Sequence, residues 1–146
     1  MSRPAEFLER TTHRFWIDES IRNADTDQFQ HVNNAAIASY CEAGRMALFS
    51  EPGMREAIAG LNVVVVKLTI LFERELFHPG TVQVGTSVTV IGNTSFQVSQ
   101  GLYGFQGRFA TSEATCVMMD RAEHKPIRVP EAVRALFNQK IGTKRS

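Results

Sequence analysis

The chain of 146 residues has few of the features that mark a disulfide-rich, membrane-spanning or strongly charged protein. Its two cysteines, Cys41 and Cys116, lie far apart and belong to no C-x-x-C pair, so the sequence signals neither a disulfide framework nor a zinc site. The longest purely aliphatic run, Val63 to Val66, is far shorter than the roughly 20 residues that span a bilayer. A net charge of +1 argues against a broad electrostatic grip on nucleic acid or anionic membrane.

The N-terminal residues 1–10 contain no apolar stretch of the kind found in a signal peptide, and we therefore expect a cytoplasmic protein. The histidines outside the loop discussed below show no metal-ligand spacing, so no metal site is predicted. Hydrophobic residues make up 43% of the chain and charged residues 21%, values typical of a globular protein. We expect one domain over residues 1–146, with short loose N- and C-terminal tails.

The order of local patterns predicts a strand, a long helix, four long strands and a short helix. Apolar residues recur at helical spacing from Val32 to Phe49, and they cover most of the circumference, so this helix should be wrapped on several sides. Period-two patterns predict strands at Thr11–Ile21, Leu61–Glu73, Gly80–Ile91, Phe96–Phe105 and Arg108–Asp120. Pro130 opens a short closing helix that runs to Phe137.

An apolar helix and a large antiparallel sheet satisfy each other if the sheet curls around the helix, which predicts an α+β domain. Because the last four strands are consecutive, we expect them to form an antiparallel meander. The first strand should pair non-sequentially inside the sheet, since a long free edge invites unwanted pairing.

One loop, between the first strand and the long helix, concentrates polar side chains. It reads Asp25-Thr-Asp27-Gln-Phe-Gln-His31-Val-Asn33-Asn34. The first N–H groups of a helix have no intrahelical partner and can hydrogen-bond a carbonyl or an oxyanion. A carboxylate beside such donors is typical of a hydrolytic site. The alternative is purely structural, with both aspartates making Asx-turns and Asn33 or Asn34 capping the helix.

The run Ile21-Arg-Asn-Ala-Asp-Thr-Asp-Gln-Phe-Gln-His-Val-Asn-Asn34, with Glu42-Ala-Gly-Arg45 on the following helix, resembles the signature of the 4-hydroxybenzoyl-CoA thioesterase family. These are acyl-CoA thioesterases of the hot-dog fold. The resemblance extends through Leu68–Gly80, Ile91–Phe96 and Met119–Leu136, and so covers nearly the whole chain.

The resemblance implies an antiparallel five-stranded sheet wrapped around one long central helix, in a homodimer or homotetramer with active sites at the subunit interface. It implies that Asp27 acts as nucleophile or as general base, and that backbone N–H near Asn34 polarises the thioester carbonyl. His31 would place water or orient the thioester, or only support the loop, and Asp25 is expected to be structural. The implied substrate-binding residues are Val32, Asn33 and Glu42.

Several points stay open at this stage. Glu42 could be a second catalytic carboxylate, but an i,i+3 ion pair with Arg45 is favoured. No cofactor is predicted, because coenzyme A is part of the substrate. The residues that hold its nucleotide are open among Arg108, Arg121, Lys125 and Arg128, and the acyl group would contact some of Tyr40, Phe49, Val64, Val66 and Phe72. The alternatives to hydrolysis are a non-catalytic acyl-CoA-binding protein and, less favoured, an acyl-thioester hydratase or dehydratase.

Overall fold

The computed structural model describes residues 13–138, and the predicted tails lie outside this range. Between these limits the chain forms six strands, three helices and a short 3-10 turn at Asn23–Asp25. The strands are β1 (Phe15–Ser20), β2 (Leu61–Phe72), β3 (Thr81–Ile91), β4 (Ser95–Gly104), β5 (Gly107–Asp120) and β6 (Lys125–Pro126). The helices are α1 (Asn34–Leu48), α2 (Met54–Ala57) and α3 (Glu131–Asn138).

The five long strands form one antiparallel sheet in the order β1-β3-β4-β5-β2, and the short β6 adds to β5. The helix α1 packs against β1, β3 and β4, so the predicted α+β arrangement of a sheet around one long helix is confirmed. Two details of the prediction were wrong. β2 pairs with β5 and not with β3, and β1 pairs with β3 but lies at the edge of the sheet. The polar segment 73–80 carries the chain from one edge strand back to β3.

The helix α1 begins where its sequence supplies a cap. The Asn33 side chain accepts a hydrogen bond from the backbone N–H of Ala36 at 2.7 Å, which satisfies one of the donors left free at a helix start. At the other end, α1 stops at Leu48 with Phe49 as its C-cap, and Gly53, whose φ of 86° lies in the left-handed region that favours glycine, is the N-cap of α2.

Two clusters of buried side chains fill the space between α1 and the sheet. The phenylalanine cluster lies at the C-terminal end of α1 and contains Phe15, Leu48, Met54, Phe96, Val98, Ala114, Cys116, Met118, Val129, Val133 and Phe137. The loop-side cluster lies at the N-terminal end and contains Ile21, Val32, Ala36, Ile37, Tyr40, Cys41, Leu76, Val82, Val84, Leu102, Phe109 and Ala110.

A row of buried polar side chains lies beneath the middle of α1. Thr86, Gln100 and Ser112 occupy neighbouring positions on β3, β4 and β5. The Gln100 Nε2 donates to the carbonyl of Cys41 at 2.9 Å and to Thr86 Oγ1 at 3.1 Å. The helix comes close to this row because residue 44 is glycine: a Cβ there would lie 2.6 Å from Gln100 Nε2.

The edge strand β2 exposes an unusual number of large apolar side chains. Those of Val65, Val66, Leu68, Leu71 and Phe72 are between 39% and 60% accessible. Since an apolar, unpaired edge favours association, this strand is the part of the described chain most suited to pair with another copy.

Candidate active site

A cleft of about 520 Å³ opens between the start of α1, the loop before it and the segment that follows β2. It brings together residues that are distant in sequence. From the loop and the helix come Asp27, His31, Val32, Asn33, Asn34 and Ile37, and from the other side come Phe72, Glu73, Arg74, Glu75 and Leu76. Four polar residues of the sequence motif, Asp27, His31, Asn33 and Asn34, therefore line one cavity.

The carboxylate of Asp27 is exposed and is fixed by one of its two oxygens. Its Oδ1 accepts hydrogen bonds from the backbone N–H of Phe29 at 2.8 Å and of His31 at 3.1 Å. Its Oδ2 accepts none from any described residue. The predicted Asx-turn is thus present, and it leaves the second oxygen open to a ligand or a water molecule.

The start of α1 carries unpaired backbone donors, and Asn34, which has one of them, lines the same cleft. Asn33 is the N-cap, and the next two residues, Asn34 and Ala35, belong to the first turn, where no carbonyl precedes them within the helix. Neither N–H donates to a described residue. Because the helix dipole adds a partial positive charge at this end, the Asn34 N–H suits a developing oxyanion in the cleft, whereas Ala35 lines a neighbouring pocket.

His31 lies beside a carboxylate that the sequence analysis did not consider. Its Nδ1 is 3.5 Å from Glu75 Oε2, and its backbone forms an isolated antiparallel bridge with Phe77. The Phe77 ring meets the imidazole edge-on at a centroid distance of 4.8 Å. The segment after β2 therefore supplies a carboxylate and an aromatic ring that hold the histidine at the rim of the cleft.

Asp25 has a different environment from Asp27, although only one residue separates them. It is 6% exposed, and its carboxylate accepts from the Tyr40 hydroxyl at 2.8 Å and from the Arg22 backbone N–H at 2.9 Å. Burial alone would raise the pKa of Asp25, but these bonds and the Arg22 guanidinium hold that pKa below its usual value. Burial, and then the Asp25 carboxylate, raise the pKa of Tyr40, so its hydroxyl stays protonated.

Comparison with known proteins is consistent with this geometry. A family model described as the Thioesterase-like superfamily matches residues 21–137. The chain belongs to that superfamily. The resemblance found in the sequence is thus confirmed at the level of the superfamily, while membership of the 4-hydroxybenzoyl-CoA thioesterase family itself stays a prediction.

Individual proteins also resemble this chain. The chloroplastic acyl-acyl carrier protein thioesterase ATL2 of Arabidopsis thaliana is 29% identical over 126 residues, a match that covers 83% of this chain and 66% of that protein, slightly under two thirds of its length. The PA2801 protein of Pseudomonas aeruginosa, a putative thioesterase by its description, is 26% identical, with a TM-score of 0.76 over 85% of this chain and 98% of its own.

A thioesterase of Thermus thermophilus, solved with coenzyme A and Zn, has a TM-score of 0.77 at 23% identity over 87% of this chain and 99% of its own. At that identity the likeness supports the fold, which is the hot-dog arrangement expected from the sequence.

The other site residues predicted from the sequence differ in whether they lie at the cleft. Val32 is buried in the loop-side cluster and forms part of the cleft wall. Glu42 is exposed on α1 and does not line the cleft. Arg45 turns inward, and its Nη1 is buried with no hydrogen-bond partner among residues 13–138, so the favoured Glu42–Arg45 ion pair is not formed. The reason is packing: position 45 faces the sheet side of α1 and position 42 faces outward.

Most of the proposed acyl and nucleotide contacts have other partners. Of the apolar candidates, only Phe72 lines the cleft. Among the cations, Arg108 forms a bidentate ion pair with Glu73 on the rim of the cleft. Its Nε donates to Oε1 at 2.8 Å and its Nη2 donates to Oε2 at 2.9 Å. Arg121 donates to the Leu61 carbonyl. The sequence analysis missed Arg74, which lines the cleft and donates to the Gln106 carbonyl at 2.8 Å.

Other kinds of site find little support in the part of the chain that the structure describes. It contains no group of three or more His, Cys, Asp or Glu side chains arranged to hold a metal ion. Both cysteines are buried free thiols, and burial raises the pKa of each. None of the helices between residues 13 and 138 combines the length and hydrophobicity needed to cross a bilayer.

Proposed function

We propose that the protein is an acyl-CoA thioesterase, which hydrolyses a thioester to a carboxylate and free coenzyme A. The observation that carries the proposal is the state of Asp27. One carboxylate oxygen is fixed by two backbone N–H groups, the other is open, and Asn34, whose N–H is unpaired at the start of α1, lines the same cleft. Attack and stabilisation of an oxyanion need these two elements.

Two routes fit this arrangement. As general base, Asp27 Oδ2 takes a proton from water while the water oxygen bonds to the thioester carbonyl carbon; the C–S bond then breaks and the proton passes to the leaving thiolate. As nucleophile, the same oxygen bonds to the carbonyl carbon and expels the thiolate, and water then hydrolyses the mixed anhydride. Entry of ¹⁸O into the Asp27 carboxylate during a single turnover in labelled water would identify the anhydride route, because water that attacks the Asp27 carbon of the anhydride leaves its oxygen there.

The acyl group is proposed to be apolar, because Ile37, Phe72 and Leu76 form the hydrocarbon part of the cleft wall. The carrier is proposed to be coenzyme A. The Arabidopsis relative is an acyl-acyl carrier protein thioesterase, so a panel should present each acyl chain on both carriers. If each acyl chain is hydrolysed faster from acyl carrier protein than from coenzyme A, the carrier would be acyl carrier protein, and the proposed reaction would stay the same.

The central test is Asp27→Asn. The amide oxygen can keep the two turn hydrogen bonds, but the open position loses its charge and basicity, so the chemical step should fall by roughly 10²–10⁴. Thermal stability and acyl-CoA binding should change little. Asp18→Asn is the matched control, since Asp18 is an exposed aspartate on β1.

The readout is release of free thiol, measured per folded enzyme. Unchanged turnover in Asp27→Asn would contradict the assignment and make Glu75 the next carboxylate to test. Binding of acyl-CoA by the wild-type chain without any turnover would favour the alternative of a non-catalytic acyl-CoA-binding protein.

The assembly is proposed to be at least a homodimer that pairs through β2. The apolar edge of β2 ends at Phe72, which also lines the cleft, so a second copy on this edge would border the site. Val66→Lys should yield monomers by light scattering, whereas Val90→Lys, on β3, should not. Their exposed fractions are nearly equal, 58% and 59%. A monomeric wild-type protein at micromolar concentration would contradict this proposal.

A further inference from the structure

The carboxylate of Asp25, two residues before the candidate catalytic residue, has its own set of hydrogen-bond partners. Both oxygens of Asp25 are engaged: Oδ2 accepts from the Arg22 backbone N–H and the Tyr40 hydroxyl, and Oδ1 accepts from the Arg22 guanidinium at 3.0 and 3.3 Å. Neither Asp25 nor Tyr40 lines the cleft that contains Asp27. Both line a separate pocket of about 470 Å³, so these two side chains act on the candidate site through the residues they hold.

Asp25 joins the two ends of the loop that carries Asp27. Its carboxylate is bonded to Tyr40, which lies in the second turn of α1. Its backbone carbonyl accepts from the N–H of Asn33 at 2.9 Å, and Asn33 is the residue that caps α1. One residue thus connects the loop entrance both to the cap of the helix and to the body of the helix.

The loop between these two anchors has few ties to the rest of the described chain. Between Asp27 and His31 the bonds are mostly internal: Asp27 N–H donates to the His31 carbonyl at 2.9 Å, and Gln30 N–H donates to the Asp27 carbonyl at 3.0 Å. The ties to other segments run from His31 and Gln30 to residues 75–78. The position of the turn relative to α1 therefore depends on its two ends and on these ties to residues 75–78.

We infer that Asp25 and Tyr40 are positioning residues, which set the distance between the Asp27 carboxylate and the N–H groups at the start of α1. This inference rests on the proposed function and extends it to residues that touch no substrate. The hydrogen bond from Tyr40 to Asp25 fixes the loop to the same helix that supplies the oxyanion donors. Attack on the thioester and binding of the oxyanion need the Asp27 carboxylate and the helix N–H groups at a fixed distance from each other. A misplacement of about 1 Å can cost as much as 100-fold in rate.

The decisive variant is Tyr40→Phe, which removes one hydroxyl and keeps the ring in the loop-side cluster. The matched control is Thr86→Val, which also removes one fully buried hydroxyl, the one bonded to Gln100, without any link to the loop. Both variants should lower the thermal midpoint. Only Tyr40→Phe should lower kcat, by about tenfold or more, with KM within about twofold of wild type, because the acyl-CoA contacts remain.

A second readout does not depend on activity. The backbone amides of Phe29 and His31 donate to Asp27 Oδ1, so their NMR signals report the place of that carboxylate. These signals should move in Tyr40→Phe and stay in place in Thr86→Val.

The outcomes separate the two proposals. A wild-type protein that hydrolyses no thioester would refute the proposed function, while the amide signals would still test the positioning. A Tyr40→Phe enzyme with the same kcat per folded molecule as Thr86→Val would refute the inference, whether or not the amide signals move. Unmoved amide signals together with a lower kcat would also refute it, because the loss would then not come from the loop.

Discussion

The two clusters on either side of Gly44 are built from different kinds of residue. In the phenylalanine cluster, the Phe96 ring meets the rings of Phe137 and Phe49 at centroid distances of 4.9 and 6.2 Å. The loop-side cluster contains Tyr40, whose hydroxyl binds a buried carboxylate, and it borders the open cleft through Val32 and Leu76.

We therefore expect the C-terminal end of α1 to contribute most to stability and the N-terminal end to contribute to the proposed hydrolysis. Aromatic burial contributes large favourable free energies at the closed end. The open end has unpaired helix N–H groups and an exposed aspartate, which add little to stability, and a buried carboxylate whose desolvation is offset by hydrogen bonds. A helix that is held firmly at its C-terminal end can keep its N-terminal end poised for a ligand.

The largest expected effect on stability is that of Phe96→Ala, which opens the centre of the phenylalanine cluster. We expect a loss of about 3–5 kcal/mol in the free energy of unfolding, with kcat per folded molecule unchanged. Urea unfolding and thiol release measure the two quantities. Phe105→Ala is the control, because this side chain is 99% exposed and its loss should change stability by about 0.5 kcal/mol or less. A large loss of kcat in folded Phe96→Ala would break the proposed division between the two ends.

A smaller effect is expected at the boundary, for Gly44→Ala. The new Cβ would lie 2.7 Å from Val84 Cγ1 and 2.9 Å from Thr86 Oγ1, two atoms on stiff β-branched side chains. Overpacking should cost about 1–3 kcal/mol, offset in part by the roughly 1 kcal/mol by which alanine exceeds glycine in helix propensity. Thermal unfolding checks this, and a stabilised variant would contradict it.

Thermal unfolding also tests a prediction made from the sequence for the neighbouring residue, Ala43. The pattern of α1 indicates that Ala43 faces the enclosing sheet and that Ala43→Leu should disrupt folding. In the structure Ala43 is only half-buried, and Gly44 makes the close approach, so Ala43→Leu should cost less than Gly44→Ala. A glycine inside a helical pattern is itself a signal of close packing, and it could have identified the position.

The sequence predicts the elements of the fold better than their neighbours. The periodic patterns locate α1 and the five long strands, because burial on one face leaves a period in the sequence. The pairing of β2 with β5 leaves no such mark: a strand pattern shows which face is buried but not which strand lies alongside. Neither α2, of four residues, nor β6, of two, is long enough to show a period.

In the candidate site, too, the residues of one local motif are predicted from the sequence, and those from a distant segment are not. The loop motif is local, so Asp27, His31 and the helix start are predicted together. Glu75 and Arg74 enter the cleft from the far side, through the bridge between His31 and Phe77, and no pattern in their own segment distinguishes them from solvent-exposed charges. The Asp25–Tyr40 bond could have been suspected, because a buried tyrosine hydroxyl usually has a partner.

A third prediction concerns the open end and is smaller in free energy. His31→Ala should lower kcat by about tenfold, equivalent to about 1.4 kcal/mol, if His31 places water or the thioester. Glu75→Gln should lower kcat less, and the double variant should be no slower than His31→Ala alone, because Glu75 would act only through the histidine.

Glu73→Gln is the control for this cycle, since Glu73 lies in the same cleft but is held by Arg108. Additive losses from His31→Ala and Glu75→Gln would mean that the two side chains act separately. Unchanged kcat in both would mean that the pair only supports the loop.

The last prediction concerns Asp25 and is confined to acid pH. Although burial opposes them, the hydrogen bonds described above lower the folded-state pKa of Asp25 below the unfolded value of about 3.9, so folding favours its charged form. This contribution to stability is fully present above about pH 4 and is lost as the pH falls from there through the folded-state pKa.

Asparagine at this position does not titrate. The gap in unfolding free energy between wild type and Asp25→Asn should therefore stay constant from neutral pH down to about pH 5 and narrow below about pH 4, as followed by urea unfolding at a series of pH values. Asp18→Asn is the control for the substitution itself: Asp18 is exposed, so this variant should change the free energy of unfolding at neutral pH by about 0.5 kcal/mol or less. A gap for Asp25→Asn that stays constant to the lowest pH would mean that the shape of the side chain, and not its charge, holds the loop to α1.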